Sequence, residues 1–280
     1  MTHTLNADLH CHSILSDGTL TPEALALRAF KQGVVLWSLT DHDELGGQER
    51  ARVAAEGLGL RYCTGVEISV TWAHHTLHIV GLHFDPLAPA LVNGLAAVRA
   101  GRIERAQRIA RELEQVGIGD TYQGALRYAD NPEMISRTHF ARHLIERGVC
   151  TDISDVFARY LSEGNPGYVP HAWASLSDAV HWIIAAGGVA VIAHPGRYKL
   201  SALQAHVLYE EFKALGGIGI EVVTGSHSVD QYREYTHIAL DYGFLASRGS
   251  DFHGPQESRI ELGHLPPLST LLMPIWHHWV

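Results

Sequence analysis

Short apolar runs recur along the 280-residue chain, and most are followed by a stretch with helical spacing. The runs predict strands near Leu5–Leu9, Val34–Leu39, Arg61–Val66, Leu77–Leu82, Val189–Ala193, Ile218–Val223 and Phe244–Ser247. Helices are expected near Pro22–Gln32, Gly47–Gly57, Leu176–Ala186, Ala202–Leu215 and Asp230–Tyr242. Thr21 before Pro22 is a cap followed by a first-turn proline, while Gly33 and Gly216-Gly217 are stop signals. Alternation of strand and helix gives an α/β fold with parallel strands, either in a closed barrel or in a doubly wound sheet.

The polar residues that end these runs choose between the two. His10, His42, Glu67, His194 and Asp251 each follow a predicted strand. Ligands delivered by five strands suit the C-terminal rim of a barrel, whereas an open sheet gathers its site at one switch point. The expectation is a closed, TIM-like (β/α) barrel of about seven strands, built from residues 1–90 and 168–280. Residues 91–167 break the alternation and read as helices only: Leu91–Val116, Tyr122–Ala129, Thr138–Arg147 and Ile153–Ser162. Pro86, Pro89, Pro166 and Pro170 flank this helical insertion. Arg99, Arg102, Arg105, Arg108 and Arg111 repeat every third residue in it. Such a row spirals around a helix, so most of it reads as a solvated, salt-bridged surface.

Composition narrows the function. Hydrophobic residues make up 46% and charged residues 18%, the balance of an ordinary globular protein, and no apolar run is long enough to span a bilayer. Met1–Asp8 has neither a basic start nor an apolar stretch, so no signal peptide is expected. Three cysteines give no disulfide framework, which makes a reducing cytoplasmic setting the default. A net charge of −9 argues against duplex DNA as a partner. It leaves small phosphorylated substrates open, because bound metal supplies local positive charge.

Histidine is the compositional outlier, with 20 copies. His74 and His75, in an expected turn, and His277 and His278, in Trp-His-His-Trp, have no partner motif and read as surface or packing residues. His10-Cys11-His12 differs: an extended segment puts both imidazoles on one side and Cys11 on the other, and the Asp17-Gly18 turn can return a carboxylate to them. In Thr40-Asp41-His42-Asp43, His42 reads as a ligand, and Asp43 or Glu44 as a cap for the next helix. Glu67 interrupts an apolar region, where its two oxygens suit a bridge between ions. His78 taken alone reads as a core histidine. Ala193-His194-Pro195-Gly196-Arg197 and Ser250-Asp251-Phe252-His253 are sharper, because each ends a clean buried strand in ligand types. Glu221, inside a strand, is left unassigned. His10, His12, Asp17, His42, Glu67, His78, His194, Asp251 and His253 are too many donors for one ion. They imply two or three divalent ions, with manganese favoured by the carboxylate and imidazole set and iron or zinc allowed.

Together these segments resemble the PHP (polymerase and histidinol phosphatase) family of metal-dependent phosphoesterases over almost the whole chain. That resemblance implies a distorted seven-stranded barrel and a trinuclear site. His10, His12, Glu67 and Asp251 would hold one ion, Glu67, His78 and His194 a second, and Asp17, His42 and His253 a third. His78-Ile-Val-Gly-Leu, Arg137-Thr-His139-Phe-Ala-Arg, Gly167-Tyr168-Val-Pro and His194-Pro-Gly-Arg197-Tyr198 are similar to the bacterial branch containing 3′,5′-nucleoside bisphosphate phosphatases and 5′→3′ exoribonucleases. In that branch the insertion closes over the barrel mouth, which makes Arg137, His139 and Arg197 candidates for the phosphate that is not cleaved.

The implied chemistry is attack on phosphorus by a hydroxide bridging two ions, with Glu67, His194 and Asp251 in the catalytic set and Asp251 orienting the nucleophile. Three functions follow: a phosphatase removing the 3′-phosphate of nucleoside 3′,5′-bisphosphates, a 5′→3′ exoribonuclease on short 5′-phosphorylated RNA, or a non-catalytic metal-binding accessory domain. The full ligand set, with no polymerase segment beside it, disfavours the last. Oligomeric state is not readable.

Overall fold

A computed structural model describes residues 5–279; the outer ends of the two predicted barrel spans, 1–4 and 280, lie outside the described residues. The chain is an α/β protein. Strands β1 (Ala7–Asp8), β2 (Leu36–Trp37) and β3 (Arg61–Tyr62) form a parallel sheet. A second sheet contains β4 (Gly65–Trp72), β5 (His75–Leu82), β6 (Ala174–Ser175), β7 (Val189–Ile192), β8 (Gly219–Thr224) and β9 (Leu245–Gly249), in the order β6-β4-β5-β7-β8-β9. Backbone bonds join the two sheets at two places. On one side Leu9 N donates to Arg248 O (3.0 Å) and Asp251 N to His10 O (2.8 Å); on the other Glu67 N donates to Asp41 O (3.2 Å) and Asp43 N to Glu67 O (2.9 Å). The strand path therefore returns on itself, and the joints fall at the ligand-bearing segments.

One strand departs from the all-parallel expectation. β5 runs antiparallel to both β4 and β7. β4 and β5 are joined by a two-residue turn, Ala73-His74, with φ of 45° and 69°. Two consecutive positive φ values make the hairpin turn whose twist matches its strands, a turn that Asn-Gly or Asp-Gly usually announces. Here neither residue does, so β4 extends six residues past the predicted end at Val66. Glu67 consequently lies near the start of a strand.

The helices around the sheets are α1 (Pro22–Lys31), α2 (Gln48–Gly57), α7 (Leu176–Ala185), α8 (Ala202–Ala214) and α9 (Val229–Tyr242). The Thr21 side chain caps α1 by accepting from Ala24 N at 3.2 Å. Asp43 and Glu44 do not cap α2, whose N-cap position is Gly47. Between β5 and β6 run α3 (Pro89–Gln115), α4 (Thr121–Leu126), α5 (Arg137–Glu146), α6 (Ile153–Val156) and a π-helical turn, Phe157–Leu161. Their apolar side chains, among them Ile109, Leu113, Phe140 and Leu144, form a cluster separate from the main core. α3 belongs to both: Leu91, Leu95 and Val98 pack into the main core, Ile109 and Leu113 into the second cluster.

The buried positions of α3 run Leu91, Leu95, Val98, Arg102, Arg105, Ile109, Leu113, each three or four residues apart. This is one continuous helical stripe. The arginine row does spiral, but Arg102 and Arg105 land on the stripe and are buried, against the expectation of a solvated row. Arg102 forms a buried ion pair with Asp43, and Arg99 Nη1 donates to Asp43 O at 2.8 Å.

Candidate metal centre

Glu67 is fully buried and five imidazoles surround its carboxylate. Oε1 lies 2.8 Å from His78 Nδ1, 2.8 Å from His194 Nε2 and 3.3 Å from His10 Nε2; Oε2 lies 2.9 Å from His42 Nδ1 and 3.4 Å from His12 Nε2. Asp251 Oδ1 approaches His12 Nε2 at 3.2 Å and His10 Nε2 at 3.6 Å, and Asp17 Oδ1 approaches His253 Nε2 at 3.5 Å and His42 Nε2 at 3.8 Å. The structure thus brings all nine predicted ligands together. Donor atoms within 4.8 Å of one another form four overlapping groups: His12/Asp17/His42/His253, His10/Glu67/His194, His10/His12/Asp251 and His42/Glu67/His78. The partition differs in detail from the one the resemblance implies, with His12 joining Asp17 and His42 joining Glu67 and His78.

The local chain explains the convergence. Cys11 points away from the two histidines, its Sγ accepting from Trp37 Nε1 at 3.2 Å. His194 and Asp251 leave β7 and β9 with φ of 26° and 55°, positions that L-residues rarely adopt and that occur preferentially at functional sites. Asp17 divides its oxygens: Oδ2 accepts from Thr138 Oγ1 of α5 at 3.0 Å, which leaves Oδ1 for the ligand cluster.

The donor set fits divalent cations. His10 Nε2, Asp17 Oδ1 and Glu67 Oε2 are buried and have no hydrogen bond, an unfavourable state that a coordinated cation relieves. Imidazole and carboxylate donors without thiolate are the ligands such ions take. Against burial, the neighbouring carboxylates raise His10, His42 and, to about 9, His253, so a cation taken up here would displace protons. Burial alone would raise the Glu67 carboxyl, yet the imidazoles of His78, His42 and His10 hold it well below the usual range. Burial lowers His12 to about 3, helped by His253 and His42, and lowers His194 to about 3, helped by Arg197. Both rings are therefore neutral and keep a lone pair for coordination.

A second layer of carboxylates fixes the ligands. Glu221, which the sequence left unassigned, accepts from His10 Nδ1 at 2.8 Å through one oxygen and from His194 N at 2.6 Å through the other. This sets the His10 tautomer and aims Nε2 into the cluster. Asp41 accepts from Ser13 N (2.6 Å), Ser13 Oγ (2.6 Å) and Ser16 Oγ (2.7 Å), pinning the loop after His12. Burial raises its pKa to about 6. Asp43 accepts from Ser69 N (2.7 Å) and Ser69 Oγ (2.8 Å) besides pairing with Arg102. Glu221→Gln is expected to reduce metal affinity about 10- to 100-fold, because its amide turns an N–H toward either His10 or His194. Titrating the variant with manganese checks this; wild-type affinity would show that Glu221 does not orient the ligands.

Two clefts meet over the cluster. A cavity of 460 Å³ is lined by Ile153, Phe157, Ser226, Arg259 and Ile260. One of 140 Å³ is lined by Asp17, His42, Glu67, His78, Arg102, Arg105, Arg137 and Trp173. They share Thr138, Phe157, Arg197, Asp251 and His253. Of the predicted substrate contacts, Arg137 lines the smaller cleft. Arg197 lines both and is half exposed, its Nη1 donating to Asp251 Oδ2 at 2.8 Å. His139 lines neither: it is buried, and its Nδ1 accepts from Ser136 N at 3.0 Å, capping its own helix. That corrects its reading as a direct phosphate contact.

The PHP domain family matches residues 8–246. The chain belongs to the PHP domain family. It is 51% identical over 271 residues to the 3′,5′-nucleoside bisphosphate phosphatase of Chromobacterium violaceum, covering 97% of this chain and 95% of the relative. It is 40% identical over 274 residues to a 5′-3′ exoribonuclease of Escherichia coli, covering 97% and 93%. A solved structure described as an amidohydrolase from Chromobacterium violaceum, with bound sulfate and no metal, superposes with a TM-score of 0.93 at 50% identity, covering 97% of this chain and 94% of that one. Glu221, Asp41 and the paired Asp43–Arg102 are the supports that the motifs did not reveal.

Proposed function

We propose that this PHP protein hydrolyses the 3′-phosphate of nucleoside 3′,5′-bisphosphates. The observation that carries the reading is the packing of nine metal-type residues, the buried Glu67 carboxylate among them, at the floor of a cleft whose walls carry Arg102, Arg105, Arg137 and Arg197. Two or three divalent ions in this set, manganese in our reading, supply an ionised water and charge neutralisation for the phosphoryl oxygens. The protein's own groups do the rest. Glu67 and the imidazoles around it fix positions, and Glu221 holds His10 and His194 in register. Arg197 donates to Asp251 and so places a guanidinium beside the reacting phosphate. Arg137 holds the phosphate that stays, and the nucleoside occupies the larger cleft, where Phe157, Ile153 and Ile260 offer apolar wall. His139 supports this set by capping the helix that carries Arg137 and Thr138.

The helical segment 91–167 serves as the cap of the site in this reading. Three buried, unpaired cysteines fit a reducing cytoplasm, and no helix among the described residues is long and apolar enough to cross a membrane. A second reading, 5′→3′ exoribonuclease on short RNA, is favoured by the 460 Å³ cleft that adjoins Asp251 and His253 and by the relatives so named. Turnover of adenosine 3′,5′-bisphosphate against a 5′-phosphorylated short RNA, with manganese, tests both. The bisphosphate is expected to win in kcat/KM. RNA winning reverses the order, and metal binding with turnover of neither would leave a non-catalytic module.

A further inference from the structure

The turn that carries Arg197 is held from outside the ligand cluster. After β7 the chain passes through His194 into a 3₁₀ turn, Pro195–Arg197, closed by Arg197 N donating to His194 O at 3.0 Å. The middle residue of that turn is gripped at both of its polar atoms. Gly196 N donates to His227 Nε2 at 3.0 Å, and Gly196 O accepts from Gln231 Nε2 at 3.1 Å. His227 lies in the loop between β8 and α9, and Gln231 in the first turn of α9. Both are fixed by further contacts. The His227 ring is buried and stacks on Tyr235, with centroids 4.7 Å apart and planes 20° apart. Its Nδ1 lies 3.2 Å from Val222 O; a carbonyl only accepts, so Nδ1 carries the proton and Nε2 offers its lone pair to Gly196 N–H. Burial lowers the His227 pKa, which keeps the ring in this neutral form. Gln231 Oε1 accepts from Ser228 N at 2.9 Å in the capping box of α9, and this turns Nε2 toward Gly196. Glycine is what permits the approach, since a Cβ at position 196 would lie 2.6 Å from Gln231 Nε2 and 2.9 Å from His227 Nε2.

His194 has anchors of its own: its N donates to Glu221 Oε2 at 2.6 Å, and the preceding Ala193 O accepts from Tyr198 Oη at 2.8 Å. Arg197 depends on the turn. Its side chain is half exposed and reaches Asp251 Oδ2 at 2.8 Å from the end of a long stem, so the position of its backbone decides where the charge stands. We propose that His227 and Gln231 are positioning residues that clamp Gly196 and thereby set the Arg197 guanidinium against Asp251 and the reacting phosphate. This rests on the reading above that Arg197 stands beside that phosphate. The clamp acts at a distance: neither side chain belongs to the ligand cluster, and a small shift of a charge-bearing group relative to the reacting atoms is costly in rate.

A double-mutant cycle with Arg197→Met, on the manganese-loaded full chain with adenosine 3′,5′-bisphosphate, tests this. In His227→Phe, which keeps a ring against Tyr235 and loses the acceptor, kcat/KM is expected to fall about 10- to 100-fold, while manganese affinity stays within about twofold of wild type. His227→Gln, whose side-chain oxygen reaches toward the place of Nε2, should recover part of the loss. Added to Arg197→Met, His227→Phe should cost less than about twofold more, because the group it places is gone. Full additivity of the two losses, or a parallel loss of manganese affinity, overturns the proposal. Should His227→Phe fail to fold, Gln231→Glu takes its place in the same cycle with the same criteria: it keeps the acceptor for Ser228 N and turns an oxygen, in place of the donor, toward Gly196 O. If Arg197→Met itself costs less than about twofold, the inference falls while turnover of the bisphosphate still supports the functional reading. If wild type turns over neither the bisphosphate nor short RNA, the functional reading falls instead, and the cycle is scored on affinity for inorganic phosphate, with additivity again the overturning result.

Discussion

Glu67→Gln is expected to lower turnover by about 10³-fold or more and to release bound metal. The exchange preserves volume and removes the one charge that faces five imidazoles within 3.4 Å. It also replaces an acceptor oxygen with an N–H donor, which cannot coordinate. Direct ligation of a catalytic ion accounts for several kcal/mol of transition-state stabilisation, and each 1.36 kcal/mol is about a factor of ten in rate. Metal content by mass spectrometry, with turnover at saturating manganese, checks the expectation. A variant that kept its metal and lost less than tenfold in rate would remove Glu67 from the centre of the site.

Stripping the protein with a chelator is expected to abolish turnover and lower the melting temperature by about 10 °C. The native cluster binds cations that the unfolded chain does not, so ions at about 1,000 times their dissociation constant stabilise the fold by about 4 kcal/mol. For a chain of this size each kcal/mol moves the midpoint by about 2–4 °C. The sign follows from the site: without cations, His10 Nε2, Asp17 Oδ1 and Glu67 Oε2 stay buried without a hydrogen bond. Calorimetry before and after adding manganese reads the shift, and identical midpoints would contradict preferential binding to the folded state.

The residues that meet in the cluster were legible because ligand chemistry breaks the apolar pattern. A histidine or acid at the end of a buried run has few other uses, and His10, His42, His194 and Asp251 all stand there. The hairpin was less legible. Its turn is Ala73-His74, not the Asn-Gly or Asp-Gly pair that announces two consecutive positive φ values, so the tertiary context sets the backbone there. Glu221 was invisible because its partner, His10, lies 211 residues away. Arg102 and Arg105 carried a signal that the threefold spacing of the arginines obscured. They occupy two steps of the Leu91–Leu113 stripe, and a charged residue at a core position marks either a buried pair or an anion site. His139 shows the opposite error. A helix-capping histidine within a motif reads as a phosphate contact until Ser136 is seen beside it.

The divided use of Asp17 has a consequence for how the protein is assembled. One oxygen takes a hydrogen bond from Thr138 of α5 while the other faces the histidines, and Arg142, also on α5, donates to Asp17 O at 2.6 Å and pairs with Glu257 at 2.7 Å. Seating the helical layer and loading cations are therefore expected to be linked equilibria, each favouring the other by thermodynamic reciprocity. A protein emptied of its ions should hold that layer more loosely, and damage to the α5 contacts should be felt as weakened ion retention far from any ligand substitution.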